Sequence, residues 1–83
     1  MKNTRVRVPW PEGLHLRQAM RLVRAAQQFR AEIRLRSAER IADVRSLLSV
    51  LALCAAMGAT LELEASGEDE QEAIRTVQEL FSR

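Results

Sequence analysis

The chain has 83 residues, 47% of them hydrophobic and 29% charged, with a net charge of +2. That length sets one domain, residues 1–83, with enough apolar content for a single core. One cysteine excludes an intramolecular disulfide, one histidine beside it is too few for a structural zinc site, and the longest apolar run, residues 47–59, is too short for a bilayer span of about 20 residues.

Residues 1–5 lack the apolar stretch of a signal peptide, so the expected location is the reducing cytoplasm without membrane insertion. Residues Thr4 to Val8 alternate polar and apolar, the pattern of a half-buried strand, and Pro9-Trp10-Pro11-Glu12-Gly13 closes it as a loop. From Leu16 the period changes. Leu16, Ala19, Met20, Val23 and Ala26 follow one helical face, and the helix is expected to end near Gln28-Phe29. Residues 32–36 return to period two as a second strand, residues 37–39 turn, and residues 40–43 make a short third strand. Ser46 is a good N-cap for a short helix over residues 47–53, which Gly58 closes off. Leu61, Leu63 and Ala65 alternate with Glu62 and Glu64 in a fourth strand. Asp69 with Glu72 three residues on has the spacing of a capping box, and Ala73, Ile74, Val77, Leu80 and Phe81 form the buried stripe of a last helix.

The order β-α-β-β-α-β-α, with strands polar on one face, predicts an α+β fold: a four-stranded antiparallel sheet with its three helices on one face, a split βαβ arrangement with one extra helix. Charge is unevenly spread. Residues 1–45 carry eleven Lys/Arg against four Asp/Glu, and residues 46–83 carry two against seven. Arg5 and Arg7 point outward from the first strand and Glu62 and Glu64 outward from the fourth, so these strands are expected to be neighbours.

One stretch carries chemistry. Gly13-Leu14-His15-Leu16-Arg17 lies where the first loop turns into the first helix. A helix N-terminus offers unpaired amides and partial positive charge, which suit a phosphate. A neutral imidazole is a nucleophile, and an arginine two residues on can neutralise a transferred phosphoryl group with directional hydrogen bonds. No second acid or base sits beside His15 in sequence, so the pattern describes a phosphoryl acceptor rather than a hydrolase. A lone loop histidine is, by itself, more often a solvated cap. Arg17, Arg21, Arg24 and Gln28, spaced 4, 3 and 4, form a polar stripe that is either a solvated face or a docking strip for an acidic partner. Leu47, Leu48, Val50, Leu51 and Leu53 surround a short helix on nearly all sides, more than so small a fold buries, which points to a protein contact. A phosphate on Ser46 would sit at a helix N-terminus beside Arg45 and oppose docking onto Leu47 and Leu48. Cys54 reads as a small buried residue, Trp10 as packing or a loop contact beside His15, and Met20, from its place on the stripe, as core.

Gly13-Leu14-His15-Leu16-Arg17, Arg45-Ser46-Leu47-Leu48 and Gly67-Glu68-Asp69-Glu70-Gln71-Glu72-Ala73 together resemble the histidine-containing phosphocarrier (HPr) family over nearly the whole chain. The resemblance implies the HPr-like open-faced β-sandwich and a place in a bacterial phosphotransferase system, in its sugar branch or its nitrogen branch; Ala19-Met20-Arg21-Leu22 looks somewhat like the latter. It implies that His15 accepts a phosphoryl group on Nδ1 from an enzyme I-type phosphotransferase and passes it to an EIIA-type domain. Arg17 would neutralise that group, and the backbone amides of Leu16 and Arg17 would bind it. Ser46 matches the site of an HPr kinase/phosphorylase. Met20 falls, with Arg17, Arg21, Arg24, Leu47, Leu48 and Leu51, on the partner-binding surface. The chain would then be a monomeric carrier, not an independent catalyst, with no cofactor or metal of its own. Gln18 stands where the family normally has proline, and Leu16 is bulkier than the usual residue there; Gln18 is expected to loosen the first helical turn. The other reading is a regulatory module acting through Ser46 and its apolar surface with little phosphotransfer. A nucleic-acid-binding domain is disfavoured: the chain has one Trp, two Phe and no aromatic pair on a strand for base stacking.

Overall fold

A computed structural model describes residues 1–82. The elements are β1 (Lys2–Arg7), α1 (Leu16–Ala26), β2 (Glu32–Arg36), β3 (Ile41–Asp43), α2 (Leu47–Ala52), β4 (Thr60–Ser66) and α3 (Glu70–Leu80). The strands form one antiparallel sheet in the order β1-β4-β2-β3. Val6, Ile33, Leu35, Ala42, Leu61, Leu63 and Ala65 project from its inner face into the core, where the helices cover them. Burying side chains such as Leu35 and Leu63 contributes about 1.5–3 kcal/mol each relative to exposure.

The predicted neighbours are paired: β1 lies against β4 with Arg5 opposite Glu62. The strong contact to Glu64, however, comes from the other side, where Arg36 on β2 forms an ion pair with it at 3.3 Å. Glu62 and Glu64 thus lie between two basic strands.

Four expectations need correction. The buried face of α1 is Gln18, Ala19, Leu22, Ala25 and Ala26, while Leu16 and Met20 are 47% and 40% exposed. At 100° per residue the apolar residues of α1 fall on two faces about 120° apart, and the one rich in alanine is buried, where α1 packs beside α3 and α2. Met20 is therefore surface, not core. Second, α1 ends at Ala26 with Gln27 as its C-cap, short of Gln28-Phe29. Third, Asp69 makes no side-chain cap bond. Its carboxylate instead accepts hydrogen bonds from the Arg30 and Ala31 amides at 2.9 and 2.8 Å, fastening the α1–β2 loop to the start of α3. The Arg30 amide, foremost, holds the Asp69 carboxyl below the usual aspartate range. Fourth, Cys54 is exposed and has φ +50°, the left-handed turn that reverses the chain after α2. A residue in that turn is turned outward, so its size did not decide its burial. Trp10 packs on Phe81 of the C-terminal segment, ring centroids 5.2 Å apart.

Candidate functional site

The loop from β1 to α1 is held by its backbone. Gly58 N–H donates to the Val8 carbonyl at 2.8 Å, and Val8 N–H to that of Ala59 at 2.9 Å. Gly13 N–H donates to the Trp10 carbonyl, and Leu14 N–H to the Ala55 carbonyl, both at 2.9 Å. Gly13 has φ +78°, and a Cβ there would meet the Ala55 carbonyl oxygen at 2.5 Å. Glycine is required at this position by both conformation and space.

This docking of residues 13–14 on residues 55–56 delivers His15 to the N-cap of α1. Its backbone is extended (φ −92°, ψ 179°), its carbonyl accepts the Ala19 N–H at 2.9 Å, and its imidazole makes no cap hydrogen bond. The ring is thereby free at a helix N-terminus whose leading amides have no intrahelical partner. No acidic residue occupies the first turn of α1. His15 and Arg17 are both exposed. His15 lines a shallow cavity with Glu12, Leu14, Leu16, Leu51, Cys54, Ala55 and Ala56. The cavity runs from the start of α1 at His15 and Leu16 to the end of α2 at Leu51 and the residues that follow it; Arg17 does not line it. Among the described residues no group of His, Cys, Asp and Glu is arranged to hold a metal ion.

Ser46 caps α2, its Oγ accepting the Ser49 N–H at 3.2 Å, and its side chain is exposed. Arg45 does not face it: the guanidinium donates to the Phe29 carbonyl in the α1–β2 loop. Of the apolar residues that follow, Val50 and Leu53 are buried, Leu47 and Leu51 half-buried, and Leu48 is 79% exposed. A second groove, lined by Met20, Val23, Arg24, Gln27 and Leu47, joins α1 to α2. The structure thus joins His15, Leu16 and Leu51 around one cavity and Met20, Arg24 and Leu47 around a groove between the same two helices. Arg17, Arg21 and Arg24 are exposed along α1.

No motif in the sequence marks Glu12 as lining the His15 cavity, Cys54 as lining it too, or Gln18 as buried with its Nε2 donating to Glu12 Oε1 at 2.8 Å. Gln18 therefore ties the first turn of α1 to the loop before it. Only its place inside the first helical turn, next to the buried face, could have signalled this.

Comparison with known proteins gives a consistent result. The family described as the PTS HPr component phosphorylation site matches residues 2–83. The phosphocarrier protein HPr of Lysinibacillus sphaericus is 34% identical over 82 residues, covering 99% of this chain and 93% of that protein. The phosphocarrier protein NPr of Klebsiella oxytoca is 39% identical over 71 residues, covering 84% of this chain and 79% of its own length. The crystal structure of HPr-C-His from Thermoanaerobacter tengcongensis superposes with a TM-score of 0.94 at 28% identity, covering 99% of this chain and 92% of that one.

Proposed function

The chain belongs to the HPr family of phosphotransferase-system phosphocarrier proteins, and from that premise we propose that its phosphoryl acceptor is His15, charged by an enzyme I-type phosphotransferase and discharged to an EIIA-type domain. The observation that carries this reading is the His15 ring, which makes no cap hydrogen bond, at the N-terminus of a helix with no acidic residue in its first turn and with Arg17 two residues on. The Nδ1 lone pair attacks phosphorus as the phosphorus–nitrogen bond of the donor phosphohistidine breaks. That bond's electron pair returns to the donor ring, so the PO3 group moves without oxidation or net hydrolysis. The Leu16 and Arg17 amides and the Arg17 guanidinium receive the charge of the arriving group. Transfer onward is the same displacement in reverse, which suits a carrier that holds the group loosely. Phosphoenolpyruvate chemistry and its magnesium belong to the enzyme I-type partner.

The partners dock on the α1–α2 surface. Arg17, Arg21 and Arg24 would steer an acidic partner, while Leu47, Leu48, Leu51, Leu16 and Met20 supply the apolar contact. Regulation at Ser46 fits the same surface: an exposed hydroxyl beside Leu47 and Leu48 is accessible to an HPr kinase/phosphorylase, and a phosphate there would oppose apolar docking. The carrier acts as a monomer. The test is a relay: enzyme I, the wild-type chain and an EIIA-type domain are supplied with labelled phosphoenolpyruvate. Label reaching the EIIA-type domain only when His15 is intact supports the carrier reading. A chain that binds partners in a Ser46-dependent way yet passes no label would instead be a regulatory module.

A further inference from the structure

The Glu12–Gln18 pair is not used by the transfer chemistry just described. Gln18 is 6% exposed, and its Oε1 is buried without a hydrogen-bond partner among the described residues. Burying an amide with one end unpaired is unfavourable, so the bond its other end makes, 2.8 Å to Glu12 Oε1, is held at a cost to the fold. The carboxylate so held lines the cavity that contains His15, and it is the one acidic side chain lining that cavity among the described residues. It lies opposite in sign to everything else the site offers a phosphate.

Resting on the reading of His15 as acceptor, we propose that Glu12, positioned by Gln18, raises the phosphoryl-transfer potential of phospho-His15. A phosphoryl group carries a charge of about −1.5 to −2 at neutral pH. At the start of α1 it is attracted by the helix N-terminus and by Arg17 two residues on, and in the cavity it is repelled by Glu12. The unphosphorylated ring feels no such repulsion. The carboxylate therefore destabilises the charged carrier selectively, weakening it as an acceptor and strengthening it as a donor. No bond is made to Glu12, and the PO3 displacement is unchanged. Gln18 is the positioning residue, because its amide keeps a loop carboxylate turned toward the cavity instead of free in solvent.

The test uses reversible exchange. Isotope-labelled wild-type protein and unlabelled Glu12→Gln protein are mixed in equal amounts with a trace of enzyme I and limiting phosphoenolpyruvate. The phosphoryl distribution at equilibrium is read by intact mass spectrometry. Glu12→Gln keeps a partner for the Gln18 amide and removes only the charge. Repulsion between a phosphoryl dianion and a carboxylate across a hydrated cavity shifts such an equilibrium by roughly three- to tenfold toward the variant. Screening should shrink that preference toward parity at about 1 M salt, where the Debye length is about 3 Å. Gln18→Met, which frees Glu12 without changing its charge, should shift the distribution the same way, and the double variant should show no added shift. An equal distribution at low salt, or a preference for the wild type, overturns the proposal while leaving the acceptor reading intact. Wild-type protein that takes no acid-labile label overturns both.

Discussion

Substituting Gly13 by alanine tests how the loop delivers His15. The new Cβ would lie 2.5 Å from the Ala55 carbonyl oxygen and 3.2 Å from the Ala56 Cα, both backbone atoms that no rotamer change can move aside. A left-handed conformation costs a non-glycine residue about 1–2 kcal/mol. Relieving the clash moves residues 55–56 away and breaks the 2.9 Å hydrogen bond from Leu14 N–H to Ala55, leaving a buried donor at a cost of about 1–3 kcal/mol. The sum, about 2–5 kcal/mol, lowers the Tm of a domain this size by roughly 10–30 °C. Gly58 supplies the control. It has φ +88° but nothing within 4 Å of its would-be Cβ, so Gly58→Ala carries only the conformational cost of about 1–2 kcal/mol. Thermal and urea unfolding followed by circular dichroism measure both variants. If Gly13→Ala lies within about 0.5 kcal/mol of Gly58→Ala, inside the usual scatter of surface substitutions, the packing of residue 13 on residues 55–56 does not hold the site and the reasoning fails.

Asp69→Ala should destabilise the protein at neutral pH and speed hydrogen exchange at the Arg30 and Ala31 amides that its carboxylate accepts. Because the folded-state value is lowered, the stabilisation is full above the ordinary aspartate pKa of about 3.9 and is lost as pH falls through the folded value below it; a stability gap between wild type and variant that persists unchanged at pH 2 would contradict this. Leu48→Glu, at a side chain 79% exposed, should leave unfolding within about 0.5 kcal/mol of wild type and weaken binding to the enzyme I-type partner by at least tenfold in titration calorimetry. Ser46→Asp should keep the α2 cap, since aspartate caps as well as serine, and so separate an unchanged Tm from reduced partner affinity; a matching loss of both would place Ser46 in folding alone.

The parts of the fold that the sequence made legible are those with local or paired signals. Alternation marked β1, β2 and β4, and outward arginines opposite outward glutamates marked β1 and β4 as neighbours. The Ser46 cap was readable because serine meets the Ser49 amide three residues away. What escaped depends on distant parts of the chain. The Asp69–Glu72 spacing suggested a cap, but the carboxylate found two amides 38 and 39 residues back, and two such bonds outweigh one local one. Met20 and Leu16 looked like core because they are apolar at helical spacing. The core instead takes the face with Ala19, Leu22, Ala25 and Ala26, where α1 packs beside α3 and α2, and Leu16 and Met20 stay exposed. His15 and Arg17 were visible as a motif. The Glu12–Gln18 pair was not, because neither residue type announces burial or a bond across the loop.

Whether His15 carries the phosphoryl group can be measured directly. The most direct measurement incubates the purified protein with enzyme I and labelled phosphoenolpyruvate, then compares wild type with His15→Ala for label that is lost in acid and kept in base. Acid-labile label is expected on the wild type and none on the variant. Label retained by His15→Ala, or no label on the wild type while a control HPr is charged normally, would contradict it.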